Sequence, residues 1–283
     1  MYHKAFGIME TLAPLHVGAS AGEETGNLNL IFRDQFTQTG IVPGSSIRGR
    51  FRADMRSIQE NLEQKWYGAE AKTGDANSMS EGIVKFEYAS LLWLPVYCPN
   101  QPVVRVSSPR LLQRYQKLAG LDAHEIKPYS FHSYGKDAVQ RLFFNLGFLK
   151  LEAADPELKK YMPTEVANAQ DYMLVVVKDE DIAMIHDMAL YRQSRVSLAK
   201  EEKIAKRGAF FNVEALPEAT VLAFPLALRK EVQKEKEVEK KKVDLADFLK
   251  IAQLEETREM YFGGLESIGF GRTNVTVKKS ISK

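Results

Sequence analysis

The sequence has a single cysteine, Cys98, so no disulfide can form within the chain, and its five histidines are scattered without the spacing of a structural zinc site. Nor does any run approach the ~20 apolar residues that a membrane-spanning helix requires. The opening segment, MYHKAFGIMETL, lacks a basic leader followed by a long apolar stretch, so a cytoplasmic location without membrane contact is expected. An excess of one charge is missing too: 39 Lys and Arg stand against 37 Asp and Glu, a formal net charge of +2. A polyanion would have to be met by a local patch. No internal repeat is visible. The glycines of GFGRTN precede an alternating, strand-like run and not a helix, which excludes a dinucleotide-binding fingerprint. What the 283 residues do have is 45% hydrophobic content, enough for a sizeable core in one domain with large insertions or in two.

Alternation over Tyr2 to Leu15 predicts an opening strand that runs into a loop. The stretch 18–26, GASAGEETG, is small and polar and reads as a surface loop, and Asn27 to Thr39 reads as extended. Gly40 to Gly44 is a turn, after which Ser45 or Ser46 can cap a helix, IRGRFRADMRSIQENL. Residues 67–82 have almost no apolar content and predict a loop, whereas Ile83 to Val96 reads as a buried strand region. Ser107 to Gly120 predicts a helix, with a serine cap, Pro109 in the first turn and Gly120 at the end. Residues 121–140, carrying His124 and His132, read as an insertion. Strands are expected over Phe143 to Leu151 and Tyr172 to Val177, a helix over Glu180 to Tyr191, and a long projecting hairpin around the charged centre AKEEKIAKRG. The charge run 230–242, KEVQKEKEVEKKK, reads as a solvated helix face or loop. A last helix, Leu245 to Tyr261, ends at Gly263 and Gly264 and leads to a strand at Thr273 to Val277. This order of elements fits an α+β antiparallel sheet.

Two segments carry residues suited to phosphate. A helix N-terminus offers free amides and the positive end of the dipole, and Arg48, Arg50, Arg52 and Arg56 follow its serines. Gly263, Gly264, Gly269 and Gly271 let backbone amides approach phosphate or ribose with no Cβ in the way, and Arg272 comes next. Each alone fits a solvated helix face or a hairpin turn equally well.

In order along the chain, PLHVG (14–18), IVPGSSIRGRFR (41–52) and GGLESIGFGR (263–272) resemble the signature segments of the RAMP superfamily, the RNA-binding proteins of CRISPR systems. FEYASLLWLPV, VRVSSPRLLQRY, LVVVKD and SRVSLAKEEKIAKRGAFFNVEALP are similar to the repeated backbone subunit of the type III-B (Cmr) effector complex. The type III-A (Csm) backbone subunit shares the first and last signatures and matches the middle less well; a type III-D subunit is a further alternative. The resemblance implies a single RAMP domain over 1–283. Its ferredoxin-like, RRM-related palm would be built from about 1–100, 140–190 and 243–283, with inserted loops at about 67–82 and 121–140 and a thumb-like β-hairpin at about 192–217. It also implies copies stacked head to tail on a guide RNA (crRNA), with complementary target RNA and the other type III CRISPR effector subunits as partners. RNA contacts are expected from His16, Ser45, Ser46, Arg48, Arg50, Arg52, Arg195, Lys203, Lys206, Arg207, the four glycines and Arg272. Pairing phosphates in this way is independent of sequence and suits a protein that must accept any guide.

Backbone subunits of this family cut target RNA with an Asp in the loop before the IPGSS-like turn, using Mg²⁺ or Mn²⁺. The corresponding stretch here is GNLNLIFRD, whose matching position is Asn29, with Arg33 and Asp34 retained. A carboxylate there can orient or deprotonate the ribose 2′-hydroxyl or hold the cation. An amide is neutral, is no base near physiological pH and is a poorer ligand for a hard cation. The resemblance therefore implies target binding with cleavage absent or slowed by ~10²–10⁴. Should Glu23, Glu24 or Asp34 replace the missing carboxylate, the chain is instead an active endoribonuclease. A guide-processing RAMP endonuclease, acting as a monomer, is a third class.

Overall fold

The computed structural model describes residues 2–18, 28–69, 80–99, 103–134, 140–198, 205–233 and 240–280, and side chains at all of these except 196–198, 205–211, 231–233 and 240–242. Strand β1 (Tyr2–Thr11) is buried on both faces. Its alternation sends Ala5 and Met9 into one core and Phe6 and Ile8 into another. There follow β2 (Leu28–Asn29), β3 (Ile41–Val42), α1 (Gly44–Ile58), α2 (Leu62–Tyr67), β4 (Val84–Phe86), β5 (Ala89–Val96), β6 (Val104–Ser107) and α3 (Pro109–Ala119). The middle of the chain supplies β7 (Ser130–His132), β8 (Arg141–Phe144), β9 (Gly147–Lys150), β10 (Ala153–Ala154), β11 (Leu174–Val176) and α4 (Ile182–Ala189). The last third supplies β12 (Tyr191–Leu198), β13 (Ala205–Ala215), β14 (Val221–Arg229), β15 (Glu231–Gln233), β16 (Lys240–Lys242), α5 (Leu245–Ile251), β17 (Arg258–Tyr261) and β18 (Arg272–Lys279).

The main sheet is mixed and runs β10-β7-β11-β6-β5-β14-β1-β18-β17, with β3 on β5 and β4 on β14. Its middle, β5-β14-β1-β18, is antiparallel throughout. In sequence, α1 falls between β1 and β5, and α5 between β14 and β18. Ile47, Phe51 and Met55 recur every four residues and turn one stripe of α1 onto the sheet, where they join Trp66, Phe224 and Phe248. On the opposite face, α3 packs Leu112, Tyr115 and Ala119 against Phe6 and Ile8. Pro109 opens α3, and Gly120 ends it at φ +67°, a conformation that favours glycine. On this side lies Arg105, with no exposed surface. Its Nη2 is 3.4 Å from Glu10 Oε1, its Nη1 is 3.2 Å from the Met162 sulfur, and its guanidinium covers the Tyr172 ring. Burial pushes the Glu10 pKa up, against the opposing pull of the Ala167 amide and Arg105.

Several sequence expectations change. Pro43 holds the cap position of α1, so Ser45 and Ser46 sit inside its first turn and no side chain caps it. The region 83–96 is two strands, β4 and β5, because they pair with different parts of β14. Residues 143–151, expected as one strand, belong to the β8–β9 hairpin. The stretch 121–140 contributes β7 to the main sheet, where Phe131 is buried. Of 230–242, the two ends form the β15–β16 ribbon and not a helix; 234–239 lie outside the described residues. The last helix stops at Ile251. Gln253 takes a left-handed φ of +55°, and 258–261 pair with β18, burying Met260 while Glu259 faces out, a period of two and not of 3.6.

Candidate nucleic-acid interface

Three segments far apart in sequence meet at one place. The Leu12 amide donates to the Arg272 carbonyl (2.8 Å), and the Gly271 amide to the Pro14 carbonyl (2.9 Å). Gly263 has φ +95°, and any side chain there would run into the His16 carbonyl, so only glycine lets these strands of backbone close together. From α1, Phe51 packs edge-on against Phe262 with ring centroids 6.4 Å apart, and Arg50 lies 3.7 Å from Glu266. PLHVG, GGLESIGFGR and the middle of α1 thus come together.

Beside it stands the expected hairpin. β12 and β13 pair antiparallel from Tyr191 opposite Ala215 onward, and β2 joins as a third strand parallel to β13, with Asn29 opposite Val213. Position 29 therefore lies on the edge of the hairpin near its root. The root is held by ions: Glu214, 3% exposed, receives Arg33 Nη2 at 3.1 Å and Arg192 Nη2 at 3.2 Å. Asp187 Oδ1 receives the same two groups at 3.1 and 2.8 Å. His16, buried, donates from Nδ1 to the Glu214 carbonyl at 2.6 Å. His186 Nε2 accepts from the Gly40 amide at 2.9 Å; burial, reinforced by Arg33, pushes its pKa down to about 3 and keeps the ring neutral.

The candidate residues fare differently. Arg48 Nη2 donates to the Tyr67 carbonyl at 2.6 Å, Arg50 pairs with Asp54 at 2.8 Å, and Arg52 is half-buried. Ser45 is exposed, Ser46 half-buried, and the first turn of α1 contains no acidic residue. Gly264 and Gly269 are exposed, with nothing near the position of a missing Cβ, and Arg272 is exposed at the start of β18. Arg195 is half-buried on β12. Lys206 and Arg207 fall on β13, where side chains are not described, and Lys203, Glu23 and Glu24 lie outside the described residues. Asp34 is committed to a turn. Its Oδ1 accepts from the Phe36 amide (3.0 Å), the Thr37 amide (2.8 Å) and the Thr37 hydroxyl (3.0 Å), and its Oδ2 from the Tyr88 hydroxyl (3.3 Å). Partial burial raises the Asp34 pKa, but these hydrogen bonds prevail and leave it below the usual value. Among the described residues, no three His, Cys, Asp or Glu side chains stand close enough to hold a metal ion.

Sequence reasoning passed over a cleft of about 850 Å³ between α3 and strands β1, β4 and β14. The signal was present: Arg110, Arg114 and Lys117 recur at i, i+4 and i+7 along α3. Arg110 lies over the Phe36 ring at 5.0 Å and Arg114 over Tyr88 at 4.5 Å.

No helix among the described residues is long and apolar enough to cross a membrane. No curated protein is significantly similar in sequence. Among solved structures, a chain of the type III-B Cmr-beta complex in its apo state matches with a TM-score of 0.72 at 18% identity, covering 99% of each chain. A chain of Cmr-beta bound to cognate target RNA gives 0.74 at 16% identity over 98% of each. Oligomeric Cmr4 from Pyrococcus furiosus gives 0.71 at 17% identity over 100% of each. These likenesses show a shared fold along the whole chain. The model of the RAMP superfamily matches residues 8–274, a span that contains all three converging segments, and the chain belongs to the RAMP superfamily.

Proposed function

We propose that this chain is an RNA-binding backbone subunit of a type III CRISPR effector of the Cmr kind. Several copies would stack along a guide RNA and hold complementary target RNA, beside the other effector subunits. The observation that carries this reading is the convergence of residues 14–18, residues 263–272 and the middle of α1, through Arg50 and Phe51, beside the root of the β12–β13 hairpin. The first turn of α1 contains no acidic residue to oppose an anion at its amides. Gly264 has neither a left-handed φ nor a close neighbour to account for its missing side chain; close approach of something outside the chain accounts for it. The order β5-β14-β1-β18, with α1 and α5 as connections, supports a ferredoxin-like palm, and β12–β13 supports a thumb. Because Arg48 and Arg50 are held by internal partners, phosphate contact falls to the backbone amides, Ser45 and Arg272.

The same reading makes Asn29 the position of the family's catalytic Asp. The described surroundings do not fit a divalent cation: Asn29 is neutral, Asp34 is tied into its turn, and Glu214 is shared by two arginines. Target RNA would be held and not cut, or cut slowly. The test is cleavage of complementary RNA by the assembled, guide-loaded complex with Mg²⁺ or Mn²⁺, comparing this sequence with Asn29→Asp. Silence from the parent and regularly spaced cuts from the variant, a gain of ~10²–10⁴, are expected. Cutting by the parent would transfer the catalytic role to Glu23, Glu24 or Asp34. Failure of the chain to assemble on guide RNA would remove the scaffold reading itself.

A further inference from the structure

None of residues 14–18 or 263–272 lines the cleft beside α3, and its walls have a consistent chemistry. Five cations line it against two carboxylates. One carboxylate, Asp34, is already satisfied by four donors, and the other, Glu87, is 3.5 Å from Arg114 at the exposed rim. Lys4, Arg110 and Lys117 make no ion pair among the described residues. Arg114 keeps Nε shielded from solvent without a hydrogen-bond acceptor, while its Nη2 faces Glu87. Two rings stand among these cations. Phe36 is 71% exposed and has a guanidinium on one face only. The other face is open to a stacking partner.

We infer that this cleft is a second RNA-binding site, which takes a single strand with its phosphates on Lys4, Arg110 and Lys117 and a base on the open face of Phe36. The inference rests on the RNA-binding reading above and extends it to the cleft beside α3. Cations interleaved with aromatic planes are the arrangement that holds single strands without regard to sequence, through phosphate pairing and stacking together. A second copy of the chain fits less well: with a net charge of +2 it brings no general negative excess to meet the cleft.

The test uses the full chain and a labelled oligouridylate, with affinity read by fluorescence anisotropy over a salt series. Arg110→Glu with Lys117→Glu is expected to weaken binding about tenfold or more and to flatten the salt dependence by about 1.4 log units per log unit, the share of two phosphates. Phe36→Ala is expected to weaken binding with the salt slope unchanged. Thermal melting of each variant should match the parent, since these side chains are at the surface. In guide-loaded complexes, photo-crosslinking of the peptide containing Phe36 to a labelled guide or a labelled target strand supports the site and identifies which strand lies there. If the double variant binds as the parent does while Arg272→Ala weakens binding, the cleft is not an RNA site and the scaffold reading survives. If the double variant binds RNA normally but self-associates less in sedimentation, the cleft is a contact between copies and the inference is overturned. Absence of binding by the parent would defeat both.

Discussion

Helices α1 and α3 lie on opposite faces of the main sheet and look alike in sequence, each entered at a proline and each bearing arginines from its first turns. Their arginines have opposite fates. On α1, Arg48 is spent on the Tyr67 carbonyl and Arg56 on Glu63, contacts that fasten the helix to its surroundings, and Arg50 pairs with Asp54 one turn along the same helix. On α3, Arg110 and Arg114 lie flat on rings at the edge of an open cleft. A guanidinium count therefore does not measure capacity to bind an anion. What decides it is whether carbonyls and carboxylates of the same chain arrive first.

The comparison is most easily broken from beneath α3. Arg105→Ala would leave the Glu10 carboxylate buried without its partner, at a cost of about 3–5 kcal/mol in urea denaturation. A cost below about 1 kcal/mol would mean that water reaches Glu10. Next in size is an effect at the hairpin root. Because the pKa of His186 is about 3 in the folded protein and about 6.5 when unfolded, the unfolded chain takes up the proton first as pH falls. Stability should hold above about pH 6.5 and decline below it, by ~2 kcal/mol at pH 5, continuing toward pH 3. Denaturation curves across this range should show a shallower slope for His186→Gln. Smallest, and most direct, is a matched pair. Arg48→Ala should cost about 1.5–2 kcal/mol through the unpaired Tyr67 carbonyl, and Arg114→Ala less than about 0.5 kcal/mol. Equal costs would erase the distinction between the two helices.

Features governed by neighbours in sequence were legible before the fold was seen. Pro109 and Gly120 bracket α3, alternation on either side of AKEEKIAKRG yields the β12–β13 hairpin, and the order of the three glycine- and serine-marked segments marks the RAMP superfamily. The illegible features depend on partners brought from afar. Nothing in IRGRFR tells that Arg48 will meet the carbonyl of Tyr67 or that Arg50 will face Glu266. The helical reading of 245–261 holds to Ile251 and fails beyond it, because pairing with β18 outweighs the helical propensity of a short polar stretch. The cleft was missed because one wall is a helix and the other a turn at 34–37, and no stretch of sequence contains both.

The attachment of β2 has a mechanical consequence. Among the described residues, two pairs, Leu28 with Asn212 and Asn29 with Val213, join it to the hairpin. A ladder that short, at about 1 kcal/mol for each hydrogen bond, opens without disturbing the sheet or its cores. The hairpin meanwhile stays anchored through Glu214. Release of β2 would therefore free Asn29 on a short tether, because Arg33, four residues on, stays bound to Glu214.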